Sequence, residues 1–135
     1  MKIEIKQTKD IEIHSIIELY RTNHWSSADK PEILYKALIN SHSLVSAWDN
    51  EKLVGLANAI SDGYLVVYYP HLLVLPDYQR KGVGKMLMDV MRDKYSTFHQ
   101  QMLTSDSNAI AFYRSCGFER AGNTEAMWIY NGDEH

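Results

Sequence analysis

The sequence predicts an α/β protein of the α+β type, built on one mixed sheet with the element order β-α-α-β-β-β-α-β-α-β-β. Three observations predict this fold. The first half contains apolar alternations separated by short turn signals, which is typical of antiparallel hairpins. The second half contains a strand, a glycine-containing loop and a helix in succession, which indicates a right-handed crossover between parallel strands. No Pro/Gly/Ser-rich linker divides the 135 residues, so we expect one domain spanning residues 1–135.

The first half of the chain is expected to supply short strands and two helices. Ile3 and Ile5 alternate with charged residues, which predicts a first strand. Apolar residues then recur at helical spacing, and Pro31 suits the first position of a second helix, where its missing N–H is not needed. The predicted elements are a strand around residues 3–5, a helix over 10–22, a loop over 23–30, a helix over 31–40, and a hairpin with strands over 43–48 and 52–60.

The second half is expected to alternate strands with two further helices. A long apolar strand over residues 64–75 should bend or break at Pro70, because proline cannot donate to a strand ladder. The next helix should bury one face formed by Val83, Met86, Leu87, Val90 and Met91. The remaining predicted elements are a strand over 98–103, a helix from about residue 107 that ends at Gly117, and closing strands over 118–121 and 126–130.

Composition and charge exclude several classes of protein. The chain is 45% hydrophobic and 23% charged, which excludes a disordered or fibrous protein. A net charge of −3 argues against broad electrostatic binding to nucleic acid or to an anionic membrane. No apolar run approaches membrane-span length, and the first residues lack a signal-peptide core. Cys116 is the one cysteine, so no internal disulfide can form. We therefore expect a soluble, cytoplasmic protein.

The most informative stretch is the basic loop Gln-Arg-Lys-Gly-Val-Gly at residues 79–84. It lies between the apolar strand and the helix that begins near Val83. The first N–H groups of a helix have no partner within the helix and carry partial positive charge, so they can bind a pyrophosphate. A dinucleotide fingerprint is excluded because Leu87 occupies its third glycine position, and the Walker spacing is absent. A plain loop that leads into a helix remains the alternative.

Two separated blocks resemble the GNAT acetyltransferases. Residues 73–85, LVLPDYQRKGVGK, are similar to the signature strand, proline turn and pyrophosphate loop of that family. Residues 109–118, AIAFYRSCGF, are similar to its A-x-x-F-Y-x-x-x-G-F helix and exit strand. The predicted element order also resembles the family fold over nearly the whole chain. That fold implies a mixed central sheet in which the fourth and fifth strands splay apart.

The resemblance implies acetyl-CoA as the donor. The strand backbone would pair with the pantetheine amides in the gap between the splayed strands, and backbone N–H groups of the loop would hold the pyrophosphate. The family often has an asparagine at position 106, where this chain has Asp106, which cannot donate an amide N–H. Asp106 and Ser107 are alternatively N-cap residues. The residues implied in acetyl-CoA binding are Leu73, Val74, Leu75, Gln79, Arg80, Lys81, Gly82, Val83, Gly84, Lys85, Asp106 and Ser107.

Tyr113 matches the family tyrosine that lies near the thioester sulfur. Its implied role is to protonate the departing CoA thiolate, and the alternative is a tyrosine of the core. The two positions where many relatives carry a Glu or His base correspond to Tyr68 and about Gln101. Neither is a base of the usual kind. His71 is the nearest imidazole, but strand alternation places it on the face opposite Tyr68 unless a bulge intervenes. Water-mediated deprotonation through Tyr68 and backbone carbonyls is the competing hypothesis.

The acceptor surface in this family comes largely from the first two helices and the last strands. We expect His24, Trp25 and Tyr64 to contribute to it, together with the aromatic side chains of the fourth and last strands, and ordinary core and rim packing is the alternative. An aromatic pocket can hold an amine against a ring. Some small bacterial and plastid-type members of the family with a similar layout acetylate arylalkylamines, so the resemblance implies an arylalkylamine as the first expectation for the acceptor and a polyamine as the second.

Two other functions remain open at this point. The absence of a carboxylate base favours a module that senses acyl-CoA without turnover, and an enzyme that acetylates protein lysines or N-termini is a further alternative. The histidine and cysteine spacings do not indicate a metal site. The closing strands offer a surface for a homodimer, since many relatives dimerise through late strands.

Overall fold

The computed structural model describes residues 2–132 and has a mixed α/β architecture, which confirms the predicted fold class. Its sheet contains six strands, five of them in the order β1-β2-β3-β4-β6, with β5 also paired to β3. The strands are β1 Ile3–Lys6, β2 Ser43–Asp49, β3 Lys52–Ser61, β4 Val66–Tyr68, β5 Leu72–Val74 and β6 Gln100–Met102. The α-helices are α1 Ile13–Thr22, α2 Pro31–Ile39, α3 Val83–Lys94 and α4 Ile110–Ser115.

The pairing directions follow the predicted pattern. Strands β1 and β2, β2 and β3, β3 and β4, and β3 and β5 pair antiparallel, whereas β4 and β6 pair parallel. The parallel pair is joined by the crossover that contains α3, because strands running in the same direction need a long connection. The crossover therefore places the basic loop at the end of the sheet where β5 leads into α3.

A β-bulge divides the predicted long strand into β4 and β5. Tyr68 pairs with Ile60 and Leu72 pairs with Ala57, so three residues, 69–71, face two residues of β3. Pro70, at the centre of the bulge, has no N–H to donate. The Tyr69 N–H still bonds the Met102 carbonyl at 2.9 Å. Beyond that bond, the ladder between β4 and β6 ends. The predicted fourth strand corresponds to β4 and β5 and the predicted fifth strand to β6. These are the two strands that separate from this point.

The helices cover both faces of the sheet. On one face, α3 lies so close to β3 that a Cβ added at Gly55 would stand 3.1 Å from both Val83 and Leu87. On the other face, α1 buries Ile16, Leu19 and Tyr20. The buried stripe of α3 differs from the predicted one, because Met88 is buried and Met86 is 37% exposed. Within residues 2–132, no helix is long and apolar enough to cross a membrane.

The two closing strands were predicted wrongly. Within the described part of the chain, residues 118–121 and 126–130 form no strand. Phe118, Trp128, Ile129 and Tyr130 favour strands, but strand propensity reflects packing on a pleated surface and does not provide a partner for the ladder. Met127 and Ile129 are 93% and 98% exposed, so the apolar side of this segment has no surface to pack on.

Candidate functional site

The basic loop enters α3 through two residues in the left-handed region. Arg80 has φ 62° and Gly82, the N-cap of α3, has φ 86°. The Gly82 carbonyl accepts the first helical bond, from the Met86 N–H at 3.0 Å. The N–H groups that follow Gly82 have no preceding carbonyl within the helix. The predicted loop residues therefore form a helix start with exposed basic side chains around it, which is a suitable geometry for an anion.

Gly84 connects the two sequence blocks that resemble the family. A Cβ added to Gly84 would lie 3.1 Å from the ring of Phe112. Phe112 belongs to α4, so the first turn of α3 and the middle of α4 are in direct contact. Position 84 therefore requires glycine because a side chain there would prevent α3 and α4 from packing together. Position 82 has open space around it and requires glycine because of its positive φ.

At the edge of β5 that faces away from β3, the backbone N–H and C=O groups belong to every second residue. Leu75 N–H donates to the Val54 carbonyl at 2.8 Å, and the His71 carbonyl accepts from Asn58 N–H at 3.2 Å. Backbone groups alternate sides along an antiparallel strand. The N–H and C=O groups of Leu72 and Val74 therefore point away from β3. Leu73 and Leu75 thus bond within the sheet. Val74 remains at the open edge, together with Leu72, which the sequence did not single out.

A cavity of about 400 Å³ opens where β4 and β5 diverge from β6. Four of the predicted site residues line it, namely Tyr68, Tyr113, Asp106 and Trp25. Asp106 is the only charged residue among the described lining residues. The others are Tyr69, Pro70, Leu72, Met88, Leu103, Thr104, Ser105, Ala109, Ala126, Met127 and Trp128.

Tyr64, His24 and Ser107, which were predicted to contribute to the site, do not line this cavity. Tyr64 is 89% exposed in the turn before β4. His24 is exposed with φ 61° in the turn after α1. Ser107 begins a single 3₁₀ turn that Asp106 precedes, and neither side chain forms a capping bond there. These positions follow from loop conformations that apolar periodicity does not encode.

The Tyr113 hydroxyl is in a partly buried position on α4 beside the cavity. Burial raises the pKa of Tyr113 to about 12, with smaller contributions from Cys116 and Asp106. Raising the pKa of a phenol extends its protonated form to higher pH. Tyr113 therefore keeps its proton at neutral pH and can act as a hydrogen-bond or proton donor toward the cavity.

The bulge places His71 on the same face of the sheet as Tyr68, because His71 is opposite Asn58 and Tyr68 is opposite Ile60. His71 does not line the cavity itself. Its ring centroid lies 4.9 Å from that of Trp25, and its Nδ1 lies 2.7 Å from the Tyr20 hydroxyl. Burial strongly raises the pKa of Tyr20, so this hydroxyl stays protonated and can donate to Nδ1.

Gln101, the second position considered for a base, has a structural role. Its Oε1 accepts from the Tyr69 hydroxyl at 2.7 Å, and its Nε2 donates to the Arg92 and Tyr95 carbonyls at 3.4 and 3.3 Å. These bonds tie β6 to α3. Among residues 2–132, no group of three or more His, Cys, Asp or Glu side chains could hold a metal ion.

Gln79 directs its side chain inward rather than toward the anion site. Its Nε2 donates to the Val74 carbonyl at 3.0 Å and to Asn23 Oδ1 at 3.1 Å. Sequence reasoning missed Asn23 and Tyr20 as partners of site residues. The one available signal was position, since Asn23 directly follows α1 and Tyr20 lies on the apolar face of that helix.

Comparison with known proteins agrees with this geometry. A family model described as an acetyltransferase (GNAT) domain matches residues 7–128. An uncharacterized ycf52-like N-acetyltransferase of Prochlorococcus marinus is 29% identical over 133 residues, which cover 93% of this chain and 73% of the relative.

Solved structures extend the comparison to the fold. A GNAT-family acetyltransferase of Streptococcus pneumoniae TIGR4 is 31% identical, with a TM-score of 0.83 over 96% of this chain and 98% of that one. The aminoglycoside N-acetyltransferase AAC(6')-Iy, solved in complex with CoA, has a TM-score of 0.72 over 96% of this chain and 94% of that one. At 16% identity, that last likeness concerns the fold alone. The family match over residues 7–128 shows that this chain belongs to the GNAT family of N-acetyltransferases.

Proposed function

We propose that residues 1–135 form one N-acetyltransferase domain that transfers acetyl from acetyl-CoA directly to a primary amine of a small molecule. The observation that carries the proposal is the gap between β5 and β6. It leads from the exposed amides at the start of α3, along the open edge of β5, to the cavity beside Tyr113. A pyrophosphate, an extended pantetheine and a thioester would be accommodated there in that order.

Each part of the site has a role in this reaction. The N–H groups of residues 80–85 would hold the pyrophosphate. The Val74 N–H, at the open edge, would stabilise negative charge on the thioester oxygen as the amine attacks. The Tyr113 hydroxyl would give its proton to the departing CoA thiolate. The reaction then forms the amide bond and breaks the carbon–sulfur bond within one ternary complex.

The acceptor amine must lose a proton before it attacks, since a lysine-like amine has a pKa of about 10.4. We propose that water in the cavity carries this proton away past Tyr68 and the neighbouring backbone carbonyls. His71 is the alternative base. Its Nδ1 already contacts the Tyr20 hydroxyl, and its ring packs edge-on against Trp25, which lines the cavity where His71 itself does not. These contacts favour the water route.

The walls of the cavity support an amine with an aromatic or apolar body. Trp25, Tyr68 and Trp128 line it, and Asp106 supplies one carboxylate for one ammonium group. A polyamine is the second candidate for the acceptor, but its additional charges would need further acidic partners. An arylalkylamine is therefore the proposed acceptor class.

We also propose that the chain forms a homodimer through the segment that follows α4. Met127 and Ile129 expose nearly their whole side chains there, and an exposed apolar group of this kind is typical of an interaction surface. A reducing, cytoplasmic location remains part of the proposal, because the Cys116 thiol is free and buried.

Calorimetric titration tests the proposed donor. We expect micromolar binding of acetyl-CoA and CoA, and no binding of ATP or NAD. Gly82→Ala should weaken CoA binding about tenfold, because a side-chained residue in the left-handed region costs roughly 1–2 kcal/mol. Gly122→Ala is the matched control, since Gly122 also has a positive φ and open space but lies outside the loop. Absence of acetyl-CoA binding to the wild-type protein would overturn the proposal.

A thiol-release assay over a panel of amines then tests the acceptor. Turnover of an arylalkylamine well above background hydrolysis would support the proposed enzyme. Binding of acetyl-CoA without turnover of any amine would instead identify a sensor module. Mass spectrometry of a lysate incubated with the enzyme and acetyl-CoA would reveal a protein acetyltransferase by newly acetylated lysines or N-termini.

A further inference from the structure

The side chains of Asn23 and Gln79 meet at the carbonyl of Val74, and we call this arrangement the Asn23–Gln79 clasp. Asn23 Nδ2 donates to the Val74 carbonyl at 3.1 Å and to the Leu19 carbonyl at 2.9 Å. Gln79 Nε2 donates to the same Val74 carbonyl at 3.0 Å and to Asn23 Oδ1 at 3.1 Å. The clasp therefore joins the end of α1, the end of β5 and the first residue of the basic loop.

The clasp uses the full acceptor capacity of one backbone oxygen. A carbonyl oxygen has two lone pairs, and both of those on Val74 are directed at amide donors. On the far side of the same peptide unit, the Leu75 N–H is bonded to Val54 at 2.8 Å. The peptide plane that follows Val74 is thus held at both edges. At the open edge of β5, the Val74 N–H remains available to bond a ligand, beside the backbone groups of Leu72.

We propose that Asn23 and Gln79 are positioning residues that fix the Val74 N–H against the carbonyl of the acyl group, an inference that rests on the proposed acetyl transfer. The clasp withdraws the Val74 carbonyl, whose negative end would oppose charge that develops on the thioester oxygen. It also ties the loop that would hold the pyrophosphate to the helix that precedes Trp25. We therefore expect the clasp to affect the acyl group of acetyl-CoA most and the CoA part of the donor least.

CoA and acetyl-CoA differ only in the acyl group, so they separate a positioning role from a structural one. Gln79→Met keeps the length of the side chain and removes both donors, and Gln79 is exposed enough to tolerate the change. We expect kcat to fall about tenfold, while the affinity for CoA changes less than about twofold. Asn23→Leu should behave in the same way. The kcat of the double variant should be no lower than that of the less active single variant, because both side chains act through one carbonyl.

Asn40 provides the matched control for Asn23. It caps α2 with nearly the same backbone angles, and its Nδ2 donates to the Lys36 carbonyl at 2.8 Å, one helical turn back. Asn40→Leu removes the same capping bond without touching β5, so we expect unchanged kcat. Thermal melting of each variant checks that it is folded under the assay conditions.

Four results would count against the clasp. Parallel loss of CoA affinity and kcat in Gln79→Met would show that it only stabilises the loop. An equal loss in Asn40→Leu would attribute the effect to helix capping. Unchanged kcat in Gln79→Met, with an active wild type, would overturn the clasp and leave the proposed function intact. A wild-type protein that binds no CoA would overturn the proposed function, and the clasp with it.

Discussion

Tyr113 is the side chain whose environment best suits a proton donor. Burial raises its pKa to about 12, so the hydroxyl is protonated at every pH where the enzyme would be assayed. Tyr113→Phe should lower kcat about 100-fold and leave acetyl-CoA affinity nearly unchanged. Because the phenol does not ionise below its raised pKa, wild type and variant should have pH–rate profiles of the same shape from neutral pH to about pH 10.

Tyr64 provides a control for the loss of a phenol hydroxyl. It is 89% exposed and lies outside the cavity, so Tyr64→Phe should retain full activity. If Tyr113→Phe also retained full activity, Tyr113 would be a packing residue of α4. A shift of the alkaline limb in the variant would instead show that free Tyr113 loses its proton below about pH 10, contrary to its raised pKa.

His71 is the residue for which sequence and structure give different expectations. The bulge brings it to the face of Tyr68, yet its Nδ1 contacts Tyr20 and its ring packs on Trp25. His71→Ala should therefore leave the acidic limb of the kcat/KM profile in place. Loss of that limb, with activity restored by added imidazole, would identify His71 as the base and contradict the water route. Tyr20→Phe, which removes only the contact to Nδ1, is the companion variant.

At the scale of elements, the features that depend on neighbouring residues in the chain could be predicted from the sequence. The loop at residues 79–84 and the start of α3 were predicted because glycine and basic residues follow an apolar strand directly. The break near Pro70 was predicted from the missing N–H. The size of the bulge, which decides the face of His71, could not be predicted, since it depends on the register with β3.

Contacts between distant elements were not predictable. Asn23 and Gln79 are 56 positions apart and meet only because α1 and β5 end side by side. The same limit explains the closing strands, because residues 126–130 form an apolar run that suits a strand but have no adjacent strand within the described chain. A pattern can indicate what a segment is suited to, whereas its partner is set by the fold.

Gly55 sets the distance between β3 and α3. An added Cβ would approach Val83 and Leu87 to 3.1 Å, and both side chains are buried in the core. Gly55→Ala should therefore lower the free energy of unfolding by about 1–3 kcal/mol, as overpacking does. Chemical denaturation measures this change.

A second substitution checks the cause of that loss. Val83→Ala alone creates a cavity and should also destabilise the protein. Combined with Gly55→Ala, it removes one of the two clashing methyl groups, so the double variant should be more stable than the sum of the two losses implies. Simple additivity would show that Val83 does not pack against position 55 as the structure places it.

The whole molecule has an uneven distribution of apolar surface. The sheet and helices α1 to α3 enclose one continuous core, whereas Met127, Trp128 and Ile129 expose 93%, 70% and 98% of their side chains. Strand β6 forms the end of the sheet order, and a groove of about 380 Å³ runs between it and α4. An open strand edge and an exposed apolar segment are complementary binding partners.

Dimerisation would bury both features if the segment 126–130 of one copy added to the β6 edge of another. Light scattering after gel filtration should then give twice the mass of one chain, and Ile129→Asp should shift the protein toward monomer by placing a charge in the apolar interface. Ile33→Asp is the control, because Ile33 is 67% exposed on α2, away from β6. A monomeric wild type, or equal dissociation by both variants, would contradict this interface. Since Ala126, Met127 and Trp128 also line the cavity, a dimer that moves this segment should change the KM for the amine when the protein is diluted below its dissociation constant.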